Sequence, residues 1–194
     1  MLQNKIFIIF ISIILIVCSS FKIDNLKYKW SNPLVSIKTK LPQDDCVRGK
    51  PEPIISKKAY PDRTFRIARK VGYENVVLKN GDKLKIQNKG CEYFTLEFRF
   101  ETLKFSAANT DLKYWGKCSS ELLNEIKKDV HVPFEITKGI NALSKYYLQN
   151  TKPVLGEELD FGGEDIRSFV TLDKVEKLPG KFCAVTVTFN VGPL

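Results

Sequence analysis

Few residues in this chain have side chains suited to covalent or metal chemistry. Its 194 residues hold five cysteines, one histidine and 22 acids. A Ser-His-Asp hydrolase would have to be built on His131, yet this residue stands two positions before Pro133 at the end of an expected helix, and no Gly-x-Ser-x-Gly elbow occurs. Cysteine catalysis would need a free thiol beside that same histidine. A zinc site is equally ill-served, because there is no Cys-x-x-Cys pair and one histidine cannot complete a usual ligand set. His131 therefore reads as a surface or capping residue, and no catalytic group, metal or cofactor is expected.

Carboxylates are the remaining source of acid–base chemistry. Glu157, Glu158, Asp160, Glu164 and Asp165 crowd around Gly162-Gly163, and Glu92, Glu97 and Glu101 form a second group. A glycosidase-type pair needs two acids about 5–10 Å apart in a cleft, and a calcium loop needs oxygen ligands at fixed offsets that this spacing does not supply. The plainer reading of residues 157–165 is a solvated acidic loop on a basic protein. Asp160-Phe161-Gly162 copies a kinase tripeptide, but the glycine-rich loop and catalytic-loop Asp and Asn are missing, so the match is coincidental.

The amino terminus places the cysteines in context. Lys5 is followed by an apolar run from Ile6 to Val17, interrupted only by Ser12, and then by Cys18, Ser19 and Ser20. This is the charged, apolar and small-residue order of a signal peptide. Twelve helical residues span roughly 18 Å, short of the ~30 Å hydrocarbon core, so export is expected rather than a permanent spanning helix. Leu15-Ile16-Val17-Cys18 resembles the lipobox of bacterial lipoproteins, with Val17 bulkier than the usual small residue. Two outcomes follow: Cys18 becomes a lipidated first residue, or a signal peptidase cuts near Ser19 or Ser20 and Cys18 is discarded. Either way four cysteines remain, and an even number in an oxidising compartment predicts two disulfides among Cys46, Cys91, Cys118 and Cys183 without choosing their partners.

Removing residues 1–20 takes Lys5 from the 31 basic side chains and leaves 30 against 22 acids, a net charge of +8. Such a domain can be drawn to anionic polymers or lipid. The lysines are scattered among acids, however, with no dense basic run interleaved with aromatics, so specific nucleic-acid binding is not expected. Tyr114 and Trp115, next to Gly116 and close to Cys118, are candidate recognition anchors in a disulfide-bounded loop, with a core plug as the alternative.

The elements that must position these residues are legible from periodicity. Residues 21–62 contain Pro33, Pro42, Pro51, Pro53 and Pro61 and read as an extended arm tied down by Cys46, with one short strand at Val35 to Thr39. Strands are expected at Thr64 to Ala68 and Asn75 to Leu78, and Leu84 and Ile86 alternate with lysines. The clearest row is Phe94, Leu96, Phe98 and Phe100, facing the core opposite Thr95, Glu97, Arg99 and Glu101. Two helices follow. Ser119 or Ser120 would cap the first, lined by Leu122, Leu123, Ile126 and Val130; Ile136, Ile140, Leu143 and Tyr147 line the second, in which Gly139 costs about 1 kcal/mol. The chain then returns to strands at Leu159 to Phe161, Arg167 to Val175 and Phe182 to Val191, with Cys183 sharing the core-facing side of Val185, Val187 and Phe189.

Strands, then two helices, then strands, without strict alternation, predict an α+β domain over 63–194: a mainly antiparallel sheet with two helices inserted between an N-terminal and a C-terminal group of strands. Functionally, the sequence favours an exported, non-enzymatic binding or structural protein of the bacterial cell envelope, acting on a protein or envelope polymer and meeting the membrane only through a lipid anchor. The alternatives are a carboxylate-dependent envelope hydrolase and a periplasmic inhibitor or immunity-type protein.

Overall fold

Phe94, Leu96, Phe98 and Phe100 do line the core in a computed structural model of the chain, which describes residues 46, 49–162 and 166–192. Cys18 and the expected strand at Val35 to Thr39 lie outside the described residues, as do Gly163, Glu164 and Asp165. Alternation of this kind buries one face of a strand and leaves the other for solvent. The row lies in β4 (Phe94–Thr102), which follows β1 (Thr64–Ala68), β2 (Val71–Val77) and β3 (Lys83–Lys89). After the helices come β5 (Leu159–Asp160), β6 (Ser168–Lys177) and β7 (Cys183–Val191).

All seven strands join one antiparallel sheet in the order β1-β2-β3-β4-β7-β6-β5. The N-terminal and C-terminal groups meet at the central pair, from Phe94 with Val191 to Thr102 with Cys183. The α+β architecture is thus the expected one, with α1 (Leu112–Ile126) and α2 (Ile136–Gln149) inserted between β4 and β5. Both helices contribute to the hydrophobic core, α1 through Leu122, Leu123 and Ile126 and α2 through Ile140, Leu143 and Tyr147. Among the described residues no helix is long and apolar enough to cross a membrane.

The start of α1 differs from expectation. Asp111, not Ser119 or Ser120, is the N-cap, and its carboxylate accepts the Tyr114 N–H at 3.1 Å. The two serines sit mid-helix and buried, where Ser119 Oγ donates to Trp115 O at 2.7 Å and Ser120 Oγ to Gly116 O at 3.0 Å. Bonding back to the preceding turn satisfies a hydroxyl that would otherwise favour a cap. Two glycines let the layers approach closely. A Cβ on Gly116 would lie 2.1 Å from Tyr147 Cγ on α2, and one on Gly139 would lie 2.5 Å from Phe189 Cε1 on β7. The propensity lost at Gly139 is the condition for seating α2 against the sheet.

The core also crosses the boundary drawn at residue 62. Ile54, Ile55 and Tyr60 are buried members of it, Ile55 pairs with Val130, and Pro42–Leu194 is one compact unit.

Candidate functional site

The last stretch of the arm is fixed by hydrogen bonds before any ligand is considered. Its Ile54 and Ile55 N–H groups donate to the Glu74 carboxylate of β2 at 3.0 and 3.2 Å, and Arg63 pairs with the same carboxylate at 3.1 Å. Burial raises the Glu74 pKa above the usual carboxylate range, opposed by the Ile54 and Ile55 N–H groups and by Arg63. On the other side Ser56 N donates to Asp129 O and His131 N to Ile54 O, both at 2.8 Å, while Asn88 Nδ2 donates to Glu52 O at 2.9 Å. The segment is therefore strapped between β2–β3 and the end of the helical pair. A covalent tie completes it: Cys46 is bonded to Cys91, closing 45 residues of sequence, with Cα atoms 5.1 Å apart.

Between this strap and the β1–β2 hairpin lies a cleft of ≈ 860 Å³. Ile67, Val71, Pro51 and the Cys46–Cys91 bridge give it an apolar lining, and Lys50, Arg69 and Lys70 stand at it as cations. No acidic side chain is among its described lining residues. Ile67 is 48% exposed and leaves a hydrocarbon surface open to solvent beside the other apolar lining residues. Gly90 adjoins the bridge at φ 103°, and a Cβ there would lie 1.8 Å from Tyr93 O, so only glycine can turn the chain into Cys91.

The hairpin beside the cleft is strained. Ala68 pairs with Val71, so Arg69 and Lys70 form a two-residue turn, and both have positive φ, 49° and 65°. Turns of this mirror-image class match the strand twist but are normally made by Asn-Gly. Here two long cations adopt a backbone that costs each roughly 1–2 kcal/mol. Cross-strand contacts hold the hairpin in place: Arg66 lies over the Tyr73 ring at 4.4 Å, and Asn75 Nδ2 donates to Thr64 Oγ1 at 3.3 Å. The effect is to present Arg69 and Lys70 at the tip of a rigid two-stranded ribbon.

The residues singled out from sequence are distributed elsewhere. Of the two expected bridges one is formed, and Cys118 and Cys183 are free, buried thiols. Each packs as a small apolar group in the core, Cys118 on α1 and Cys183 on β7, so the even count does not translate into a second bond here. Burial pushes the Cys118 thiol up to about 11, keeping it protonated at neutral pH and a poor nucleophile. Trp115 takes the core-plug position. It is fully buried, and its indole N–H donates to Ala108 O at 2.9 Å. Tyr114 is half-buried, packs edge-on against Phe105 and accepts the Ser106 N–H at 3.2 Å. Both belong to α1 rather than to a loop, because Asp111 starts the helix more than two turns earlier than the serines suggested.

The described acids divide into two groups, neither of which makes a buried pair among the described residues. Glu97 bonds Gln87 at 2.8 Å and Lys89 at 3.2 Å, and Glu101 bonds Lys85 at 2.6 Å with Arg99 at 3.5 Å, all on the face of the sheet opposite α1 and α2. The Lys85 hydrogen bond holds the Glu101 carboxyl below its usual range. Glu158 and Asp160 line a groove of ≈ 570 Å³ with Lys145 and Tyr146 of α2. Both are exposed; Glu158 pairs with Arg167, and Asp160 accepts the Gly162 N–H at 3.0 Å. Glu92, Glu157 and His131 are exposed.

The cleft residues went unnoticed in the sequence because Arg69-Lys70 carries no turn signature and Ile67 looks like any strand apolar residue. The signal that would have found them is the shortness of the gap: the second strand starts at Val71 rather than Asn75, leaving only Arg69 and Lys70 to turn the chain. No protein-family model, curated protein sequence or solved structure matches the chain.

Proposed function

We propose that this chain is an exported, non-enzymatic binding protein of the cell envelope and that it meets its ligand in the cleft beside the Cys46–Cys91 bridge. The observation that carries the reading is the make-up of that cleft: an exposed apolar wall, a cationic edge, and a frame held by a disulfide and a strained turn. Ligand pockets of about 300–1,000 Å³ with a mainly apolar lining and few polar groups are the usual form of a binding site. A disulfide that frames such a site suits an oxidising compartment, which is where the signal-like segment ending near Cys18 would deliver it. The hydrolase alternative would need two carboxylates converging in a cleft with a proton held on one of them. The described acids of residues 157–160 are instead exposed, and Glu158 is ion-paired.

Intact and peptide mass spectrometry, without reductant, of protein recovered from membranes and soluble envelope tests this. An acylated Cys18 peptide, or a free terminus near Ser20 or Phe21, with Cys46 bonded to Cys91, is the expected result. Full-length protein retained in the cytoplasm with all cysteines reduced would overturn it.

A further inference from the structure

The cleft's chemistry narrows its ligand. We propose that it holds a single acyl chain bearing an anionic headgroup, the chain lying on Ile67, Val71, Pro51 and the disulfide, and the headgroup met by Arg69 and Lys50. This rests on the cleft being the binding site. The apolar lining is continuous with a side chain, Ile67, that leaves nearly half its surface in water in the absence of a partner. Covering that surface removes hydrocarbon from solvent, which is the main driving force for capturing an alkyl chain. A purely apolar ligand would leave Arg69 and Lys50 without a part in binding it. A cationic or zwitterionic one would meet Lys50, Arg69 and Lys70 with no described acid lining the cleft to receive it. A guanidinium is suited to carboxylate and phosphate because its donors form a planar fork.

The backbone supports the same assignment. Arg69 and Lys70 occupy positions where asparagine and glycine would be unstrained, and the turn places both cations at the cleft. That arrangement suggests a test: Arg69→Asn with Lys70→Gly removes both charges and suits the backbone of the turn, and its melting temperature checks that it folds.

Titration calorimetry of the purified, oxidised protein with dodecanoate below its micelle concentration should give one saturable site. Dodecanol, the neutral analogue, should bind at least about tenfold more weakly, as expected when a charge-assisted hydrogen bond is lost. In the Arg69→Asn, Lys70→Gly variant, in which Lys50 remains, dodecanoate should lose most of its advantage over dodecanol, and dodecanol itself should be unchanged. Ile67→Asp should abolish binding of both. Equal affinity for the two probes, an unaltered dodecanoate affinity in the double variant, or no saturable binding would overturn the assignment. None of those results would touch export, which the mass of the envelope-derived protein decides separately.

Discussion

The helix-covered face of the sheet and the hairpin end that carries the cleft are held together in opposite ways. On the covered face Leu122, Leu123, Ile126 and Leu143 are completely buried, and glycines let α1, α2 and β7 approach to contact distance. At the hairpin end the apolar contacts are thin, and order comes from the Cys46–Cys91 bond, from Glu74 gripping the strap and from a strained turn. Packing supplies stability in the first region. In the second, covalent and polar constraints hold apolar surface open to solvent that packing would have closed, which is what a binding cleft requires.

Removing the bridge breaks this contrast at its strongest point. Closing a loop of 45 residues restricts the unfolded chain by an amount worth about 4 kcal/mol. Cys91→Ser should therefore lower the urea-unfolding free energy by up to about that much. Hydrogen exchange should show its native-state effect in residues 49–56 and in β1–β2, with α1 and α2 still protected. Uniform loss of protection would mean that the two regions are one cooperative unit.

A smaller effect is expected from the packed side. Gly116→Ala places a methyl where Tyr147 already sits, 2.1 Å from Cγ, and overpacking of this kind should cost about 2–3 kcal/mol in urea unfolding. The matched change at the cleft end, Gly49→Ala, meets no atom within 4 Å and should cost only about 1 kcal/mol, from its φ of 73°. Similar costs at the two sites would remove the distinction between packed and constrained regions.

The smallest effect has the opposite sign. Arg69→Asn with Lys70→Gly should raise thermal stability by about 1 kcal/mol, since the left-handed backbone suits the new residues. A destabilised variant would show that the Arg69 and Lys70 side chains brace the hairpin rather than burden it.

The same contrast explains what could be read from the sequence. Periodicity reports burial, so the β4 row, the Ile136-to-Tyr147 stripe and the core-facing Cys183 were legible because each lies where packing dominates. The beginning of α1 was not, since Ser119 and Ser120 have the chemistry of caps and only tertiary burial puts them mid-helix. Trp115 was misplaced for the same reason. The disulfide was half legible, because counting cysteines does not measure the distance between them. The cleft left almost no trace: its parts come from Cys46, Pro51, Ile67, Arg69 and Cys91, far apart in sequence and periodic with nothing.

The central β4–β7 pairing has a kinetic consequence. Its partners lie from 81 positions apart, Thr102 with Cys183, to 97 apart, Phe94 with Val191. Loop closure on that scale must precede the contacts that reward it, which slows folding. Until β7 arrives, β4 has a partner on one edge only, and the N-terminal and C-terminal strand groups cannot join into one sheet. Commitment to the native state thus waits for the latest described strand, although β1 to β4 can pair among themselves before it arrives.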